Sequence, residues 1–494
     1  MANTVLIIGA GIGGLATAVR LLSKGYNVKI FEKESKVGGK TNQIVHAPFT
    51  FDLTASILMN RDIYEEVFHD AGLNPQEYLE FSRIEPTYRC FFPDGDRLDI
   101  SRDIAELTKT LESIAQQDAV GYLKLFAEVY QRYVIANEHF LRKTFEKPID
   151  FIKPSTVANA LKTKSLSTSA KLIAKYIKDP KLRKFLAYQA LYVGISPFEG
   201  PGTYTFVPVI AQLYGLWHLR GGFYTYIRAL EKAIDHLGGE IIPKSAVDEI
   251  LISDYRAVGI KVHGETVHGD IIISNADFPY TVSSLIKNKA HQGEHTADKL
   301  KSMQYTCSAF ILYLGLKKQY PELSVHNLYL NENFKENIEQ AFRGQIPTEP
   351  SFYIYCPSRI DNTMATEGEC LSAVVRVPNL TANNITWGQD TISTIRNRIL
   401  SALKSIPGLA DIEDNISFES QLTPKDLKQR FNSYAGAAFG LSPTLTQTNY
   451  FRPHLQSDAV NNLYFTGQSV HPGPGASLVL LSSKLVVEKI LAKR

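Results

Sequence analysis

A glycine-rich segment near the start of the chain has the residue types and spacing of a dinucleotide-binding loop. Gly9, Gly11 and Gly14 follow a short apolar run and precede a helical pattern, and Glu32 ends the next apolar run. Gly9 would permit a tight turn, Gly11 would let the main chain approach a pyrophosphate, and Gly14 would allow close helix–strand packing. An acid about 20 residues further on would accept hydrogen bonds from a ribose. NAD and FAD proteins share this pattern, so alone it does not choose between them.

Two other glycine-rich segments could contact the same ligand. The pair Gly38-Gly39 with Lys40 could wrap the dinucleotide phosphates, although an ordinary surface turn has the same composition. Residues 463–475 run from an apolar strand pattern through glycines, with His471 among them, towards a C-terminal helical pattern. This segment predicts a second helix N-terminus at the ligand, or else a turn that caps the helix.

Polar or glycine residues also lie at the ends of two later elements. Residues 220–223 open a helical pattern that continues to about residue 236, and Val247 lies in the strand pattern after it. Asn275 and Asp277 follow another strand pattern, at the carboxyl end where doubly wound sheets bind ligands. We expect main-chain groups near Val247 to meet an adenine.

The periodicity places these motifs on an α/β framework. Strand patterns occupy residues 4–8, 28–31, 240–243, 246–252, 258–262, 270–274, 305–316, 370–377 and 463–467. Residues 100–145, 155–192 and about 477–491 have helical patterns. Because the first strand–helix–strand unit and the C-terminal motif are far apart, the sequence predicts one nucleotide domain assembled from non-adjacent segments, with a second domain between them.

Composition excludes several other classes of protein. The chain has 494 residues, 44% of them hydrophobic, and a net charge of +3, which is far from that of a nucleic-acid-binding chain. Its four cysteines form no CxxC pair, so neither a zinc site nor a disulfide scaffold is expected. We also expect no signal peptide and no transmembrane helix. The uncharged stretch 200–219 contains too many glycines, prolines and polar residues for a span, and is interpreted as buried or cavity-lining.

Longer stretches give the chain a family resemblance over almost its full length. These stretches are Ile30-Phe-Glu-Lys-x-x-x-Val-Gly-Gly39, Phe49-Thr-Phe-Asp52, Leu191-Tyr-Val-Gly-Ile195, Cys307-Ser-Ala-Phe310, Ala437-Ala-Phe-Gly-Leu441, Asn449-Tyr-x-Arg-Pro453 and Thr466-Gly-x-Ser-x-His-Pro-Gly473. They resemble the flavin-dependent carotenoid (phytoene) desaturases, and most closely the bacterial 4,4'-diapophytoene desaturase group. The resemblance implies a Rossmann-type FAD-binding domain of the amine oxidase/phytoene desaturase type, interleaved with an α+β substrate domain.

The resemblance also implies domain bounds and a cofactor site. The FAD-binding domain would comprise residues 1–80, 220–290 and 425–494, and the substrate and membrane-facing domain residues 81–219 and 291–424. The expected cofactor-binding residues are Gly9, Gly11, Gly13, Gly14, Glu32, Lys33, Gly39, Lys40, Val247, Gly467 and Gly475.

The implied reaction is FAD-dependent desaturation of a thirty-carbon carotenoid precursor, 4,4'-diapophytoene towards 4,4'-diaponeurosporene, with hydride transfer to the flavin. Because the flavin supplies the chemistry, no separate catalytic residue and no metal are expected. The alternatives are an oxygenase or isomerase of the same family, an amine oxidase, and a lipid-escort protein without redox activity on the same fold.

The sequence departs from the family pattern next to the expected flavin. Relatives usually carry Gly-Pro where Thr54-Ala55 stand, Pro at Ser477 and Arg at Lys40. Thr54, His471 and Ser477 are therefore the candidates near the flavin, with His471 alternatively a turn residue that binds the main chain. These departures bear on the shape of the reaction pocket, and so on the substrate, more than on flavin binding.

A hydrocarbon substrate predicts an apolar tunnel and a cytoplasmic enzyme attached peripherally to a membrane. Residues 151–190 contain eight lysines, one arginine and one acid, and Leu166, Ala170, Ile173 and Ile177 are spaced for one face of a helix. This stretch is either a membrane-docking helix or a solvated helix packed on the core. Tunnel candidates in and near the uncharged stretch are Tyr192, Tyr204, Phe206, Tyr214 and Trp217.

Overall fold

A computed structural model describes residues 3–163 and 165–493. The strands, in chain order, are β1 (Thr4–Ile8), β2 (Asn27–Phe31), β3 (Gln43–His46), β4 (Phe49–Asp52), β5 (Phe81–Arg83), β6 (Tyr88–Phe91), β7 (Arg97–Ile100), β8 (Trp217–Leu219), β9 (Glu240–Ile242), β10 (Val247–Ser253), β11 (Arg256–Val262), β12 (Glu265–His268), β13 (Ile271–Ser274), β14 (Ser308–Leu316), β15 (His326–Tyr329), β16 (Phe352–Tyr355), β17 (Glu369–Val377), β18 (Ile416–Leu422) and β19 (Leu463–Phe465).

Helices surround and connect these strands. In chain order they are α1 (Ile12–Leu22), α2 (Arg61–Asp70), α3 (Ile104–Ile114), α4 (Gln116–Ala136), α5 (Pro148–Ile152), α6 (Pro154–Thr163), α7 (Ser169–Tyr176), α8 (Pro180–Tyr188), α9 (Phe206–Tyr214), α10 (Tyr224–His236), α11 (Phe278–Tyr280), α12 (Ala297–Ser302), α13 (Phe334–Phe342), α14 (Gln389–Lys404), α15 (Pro424–Phe431) and α16 (Ala476–Leu491).

A parallel sheet holds the glycine loop, and its strands come from three distant parts of the chain. Its order is β19-β13-β1-β2-β9, and every pairing is parallel. Parallel strands with helices on both faces are buried on both sides, which explains their continuous apolar runs. Helix α16 packs beside α1, where Arg20 donates from Nη1 to the Leu480 carbonyl (3.1 Å) and to Ser483 Oγ (2.9 Å).

A second sheet forms one wall of a large cavity. Its order is β18-β14-β17-β16-β15-β6-β7, antiparallel except for the β15–β6 pair. All nine residues of β14 and all nine of β17 are buried, because both faces of these strands are covered. Phe310 and Leu312 pack in the core that includes α14, whereas Ala309 and Ile311 line a large cavity on the other face.

The predicted α/β fold class is confirmed, and most predicted strands lie within two or three residues of the observed ones. The uncharged stretch 200–219 forms a short helical turn, α9 and β8 rather than one long helix. Within the described parts of the chain, no helix is both long and apolar enough to cross a membrane. The two sheets lie in the segments assigned to different domains, while the domain bounds themselves stay a prediction.

The basic stretch does not form the single amphipathic helix that its spacing suggested. Leu166 lies in the connection before α7, whereas Ile173 and Ile177 are buried at the end of α7 against α4. Packing on α4 turns the apolar side of α7 inward, which agrees with the alternative of a helix packed on the core, while membrane docking of this stretch stays a prediction.

Candidate functional site

The glycine loop after β1 has the backbone geometry that the fingerprint predicted. Gly9 has a φ of +91°, a region that L side chains rarely adopt. A Cβ at Gly14 would lie 2.3 Å from the Gly9 carbonyl oxygen, so only glycine lets α1 start this close to the strand. Gly11 is the N-cap of α1, and no side chain caps it. The first-turn N–H groups of α1 are therefore free of any side-chain cap and suited to a phosphate.

Asn275, at the carboxyl end of β13, packs directly on this loop. A Cβ at Gly11 would lie 2.7 Å from Asn275 Oδ1, and a Cβ at Gly13 would lie 2.7 Å from Asn275 Nδ2. The same amide donates to the Thr466 carbonyl across 3.1 Å. Asn275 thus joins the loop to the segment after β19, which carries Gly467.

Glu32 directly follows β2, and its carboxylate is turned towards the loop. Its Oε2 accepts a hydrogen bond from Ala10 N (2.8 Å), and its Oε1 accepts one from Glu34 N (2.9 Å). Burial raises the pKa of Glu32, while these main-chain donors oppose the shift. A carboxylate has about four acceptor positions, so two stay available for ribose hydroxyls.

A cleft of about 200 Å³ runs along the carboxyl edge of the parallel sheet. Of the predicted cofactor-binding residues, the cleft is lined by Gly9, Gly11, Gly13, Glu32, Lys33, Gly39, Lys40, Val247 and Gly467. Gly14 is packed behind the loop, and Gly475 lines the larger cavity described below. The cleft therefore fits a dinucleotide. It offers exposed main chain, a helix N-terminus without a side-chain cap, and an acidic side chain beyond them.

Two lysines line this cleft with different surroundings. Lys33 Nζ donates to the Gln429 carbonyl (3.2 Å) and to Asn432 Oδ1 (3.3 Å), so it reaches away from the loop. Lys40 Nζ donates to the Ala438 carbonyl across 2.9 Å. Burial lowers the pKa of Lys40 to about 8, and the charge of Asp277 partly opposes this shift.

A second cavity, of about 1060 Å³, meets the cleft end to end. Its wall is mostly aliphatic and aromatic and includes Tyr64, Tyr133, Phe140 and Ile311. The residues that line both the cleft and the cavity are Ile12, Lys40, Thr41, Gln468 and Val479. A dinucleotide in the cleft would therefore present its far end at this junction, facing a largely apolar chamber.

Thr54 and Ser477 both line the large cavity. Thr54 Oγ1 donates to the Lys40 carbonyl across 2.9 Å, which places it beside the junction. Ser477 lies in the first turn of α16, after Gly475, which has a φ of +112°.

His471 faces a different direction from the other two candidates. Its ring is buried 6.2 Å from the ring of Phe145, centroid to centroid, outside the linings of both cleft and cavity. Burial lowers the pKa of His471 to about 4, so the imidazole is neutral at physiological pH. The prediction that His471 lies near the flavin is not supported by this position, because the turn directs its ring into the helical layer.

Three of the five aromatic tunnel candidates lie in the cavity wall, namely Tyr192, Tyr204 and Phe206. Trp217 packs on Phe81 and Tyr214 packs on Tyr133, and both are half-buried outside the cavity lining. Across residues 3–163 and 165–493, no group of three or more histidines, cysteines or acids could hold a metal ion.

Sequence reasoning gave no role to Arg452, which organises the segment around the junction. Its side chain is 1% exposed and donates to the carbonyls of Leu441, Gln447, Gln468 and Val470 at 2.6–3.1 Å. Burial lowers the pKa of Arg452 to about 10, so it stays charged at neutral pH. The motif Asn449-Tyr-x-Arg-Pro453 was the available signal, but spacing alone does not say that an arginine turns inward.

Comparisons with known proteins agree with this geometry. The family model described as flavin-containing amine oxidoreductase matches residues 12–491. A 4,4'-diapophytoene desaturase (4,4'-diaponeurosporene-forming) from Staphylococcus haemolyticus is 36% identical over 492 residues, covering 99% of this chain and 98% of that protein.

Two solved structures share the fold. An oxidoreductase from Methanosarcina mazei is 18% identical with a TM-score of 0.65, covering 98% of this chain and 100% of that one. A putrescine oxidase with redesigned cofactor binding is 12% identical with a TM-score of 0.65, covering 100% of both chains. The family match and the full-length identity confirm the resemblance: the chain belongs to the flavin-containing amine oxidoreductases, as an FAD-dependent oxidoreductase related to the 4,4'-diapophytoene desaturases.

Proposed function

We propose that the protein desaturates a thirty-carbon carotenoid precursor, converting 4,4'-diapophytoene towards 4,4'-diaponeurosporene. The observation that carries this proposal is the junction at which the dinucleotide cleft opens into the large apolar cavity. Ligand sites commonly enclose about 300–1,000 Å³, so a cavity of about 1060 Å³ is slightly larger than that range and suits a long chain. At about 0.8 kcal/mol per CH2, an apolar wall favours such a hydrocarbon over water by on the order of 20 kcal/mol.

The proposed cofactor contacts follow the cleft. The N-terminus of α1 and the bare main chain at Gly11 and Gly39 would meet the pyrophosphate, and Glu32 would accept from the adenosine ribose. Main-chain groups at Val247 would meet the adenine. FAD held by these residues would supply the two-electron oxidation, in which an allylic carbon loses a hydride and the neighbouring carbon loses a proton. The chain itself positions the polyene, excludes water through the apolar wall and places the Lys40 ammonium at the junction.

The test of this function is the pigment made in cells that supply 4,4'-diapophytoene. We expect absorption to move to the red as conjugated double bonds are added. Flavin-loaded, folded protein that leaves the colourless precursor unchanged would refute the proposal. A product with an oxygenated end group would favour the oxygenase of the same family, whereas protein that neither binds nor gains flavin would favour the lipid escort.

Lys40 provides a prediction with a pH dependence. We expect Lys40→Met to weaken FAD binding by at least about tenfold at pH 7, since one charge-assisted hydrogen bond contributes about 1.5–3 kcal/mol. The pKa of the buried ammonium is about 8, and an anionic ligand favours its charged form. Above pH 8 the free protein has lost this proton and must regain it on binding, so affinity should fall by up to about tenfold per pH unit.

Isothermal titration of flavin-free protein between pH 7 and pH 9 measures this dependence. Lys40→Arg is the matched control, because arginine keeps its charge throughout this range. If wild-type and Lys40→Arg proteins lose affinity equally, or if Lys40→Met binds like wild type, Lys40 does not contact the cofactor.

We further propose that the cavity mouth docks on a membrane from the cytoplasmic side. Four cavity-lining apolar residues are exposed to solvent: Val157, Leu161, Leu166 and Leu445. Leu161 is 69% and Leu166 88% exposed, which is unfavourable in water unless another surface covers them. Lys171 also lines this cavity and would meet anionic lipid. All four cysteines are buried and free, which is compatible with a reducing compartment.

Replacing both Leu161 and Leu166 with glutamate should weaken binding to phosphatidylglycerol-containing vesicles by at least about tenfold. Inserting a leucine side chain is worth up to about 1.5–3 kcal/mol, and two anionic groups add repulsion. Vesicle co-sedimentation measures the change. Ile104→Glu is the control, because Ile104 is 60% exposed on α3 and lies outside the cavity lining. Equal sedimentation of the double variant and wild type would show that docking uses another surface.

A further inference from the structure

One arginine in the wall of the large cavity has no hydrogen-bond or ion-pair partner among the residues that the structure describes. Arg376, on β17, is 9% exposed and lines the cavity beside Val374, opposite Ala309 on β14. Its guanidinium carbon lies 5.0 Å from the centroid of the Phe439 ring. Its Nε is buried without a hydrogen-bond partner, and no carboxylate of the described residues pairs with it.

The other buried arginines of the described residues have charged or carbonyl partners, although Arg20 Nη2 and Arg132 Nε and Nη1 also lack hydrogen bonds. Arg20 pairs with Asp70, Arg132 pairs with Glu128, and Arg452 donates to four carbonyls. A buried cation without such partners is costly, and stacking on one aromatic ring compensates little of that cost. Because the rest of the guanidinium borders the cavity, only a ligand or water there can complete its hydrogen bonds.

A hydrocarbon cannot accept those hydrogen bonds, which points to a second class of ligand. The planar guanidinium matches a carboxylate with two parallel hydrogen bonds, and a buried apolar setting strengthens that pairing. Arg376 lines only the cavity and not the dinucleotide cleft, so its position favours the substrate side over the phosphates. We infer that the cavity also binds an isoprenoid chain that ends in a carboxylate, held by Arg376. The inference rests on the proposed isoprenoid-binding function of this cavity.

Such a ligand would compete with the hydrocarbon for one chamber. An isoprenoid chain with a carboxylate end would therefore inhibit desaturation of the hydrocarbon when it accumulates. The apolar wall would hold either chain. Arg376 would add hydrogen bonds that only the chain with a carboxylate end can accept.

The test compares all-trans-retinoic acid with its methyl ester on the FAD-loaded protein, using the flavin absorbance change to measure binding. We expect the acid to bind at least tenfold tighter than the ester to wild type. Arg376→Met should remove this preference, and Arg376→Lys should keep part of it. Lys175→Met is the matched control, because Lys175 is a cation of the cavity wall that already pairs with Glu128. Flavin content and the free energy of unfolding show that each variant is intact.

Four outcomes would overturn the inference. Equal affinity of acid and ester for wild type would do so, as would a preference that survives in Arg376→Met or disappears in Lys175→Met. Loss of FAD from a folded Arg376→Met protein would assign the guanidinium to the cofactor. Pigment formation from 4,4'-diapophytoene is measured on wild type in parallel, so failure of the carboxylate site is distinguishable from failure of the desaturase itself.

Discussion

A Gly11→Val variant should fold and yet lose FAD, with an affinity at least about 100-fold lower than that of wild type. The new Cβ would lie 2.7 Å from Asn275 Oδ1, so the amide side chain must move. The valine methyl groups would occupy the space through which the main chain approaches a pyrophosphate. A 100-fold loss corresponds to about 2.8 kcal/mol of binding free energy.

The flavin-to-protein ratio after purification, together with titration of added FAD, measures this effect. Gly388→Ala is the control, because nothing lies within 4 Å of a Cβ at that position. Urea denaturation of flavin-free protein separates lost binding from lost folding. Normal flavin content in Gly11→Val would mean that the loop after β1 does not hold the cofactor.

Arg452→Met should destabilise the protein by about 3–5 kcal/mol. Four buried carbonyls would lose their donor, at about 1–3 kcal/mol each, and relaxation with water entry would recover part of that cost. Methionine keeps an unbranched chain in the cavity left by the arginine, so the effect reports mainly the lost hydrogen bonds. Flavin retention should fall as well, since the Gln468 carbonyl is one of the four acceptors and Gln468 lines the junction.

The free energy of unfolding from urea titration tests this prediction. Arg343→Met is the control, because Arg343 is an exposed residue that pairs with Glu339, and surface changes usually stay within ±0.5 kcal/mol. Arg452→Lys should recover part of the loss, since an ammonium has three donors. If Arg452→Met destabilises the protein as little as the control does, the segment 441–470 holds its conformation without the hydrogen bonds of Arg452.

The parts of the site predicted well from sequence are those whose geometry is local. Gly9, Gly14 and Glu32 belong to one strand–helix–strand unit, so their spacing alone determines a positive φ, a close approach and an acid at the loop. The strand patterns were equally reliable where a strand is buried on both faces, as in β1, because a short continuous apolar run then indicates a buried strand.

Contacts between distant segments could not be predicted in the same way. The position of Asn275 against Gly11 depends on β13 pairing with β1, and the apolar side of α7 depends on where α4 lies. His471 follows the correct strand, but the direction of its ring is set by the turn and by Phe145. The unpaired guanidinium of Arg376 is visible only when every neighbour is known.

The origin of β19 and α16 has a consequence for biosynthesis. They complete the parallel sheet and the cover of α1, yet they are translated about 450 residues after the glycine loop. At roughly 5–20 residues per second, the ribosome delivers them about 20–90 s later. During that interval the apolar side of α1 is exposed, and the edge of β13 is exposed from the time β13 is made until β19 follows. We therefore expect FAD to bind only after β19 and α16 have been synthesised. Chaperones should stay bound to the growing chain until α16 emerges from the ribosome.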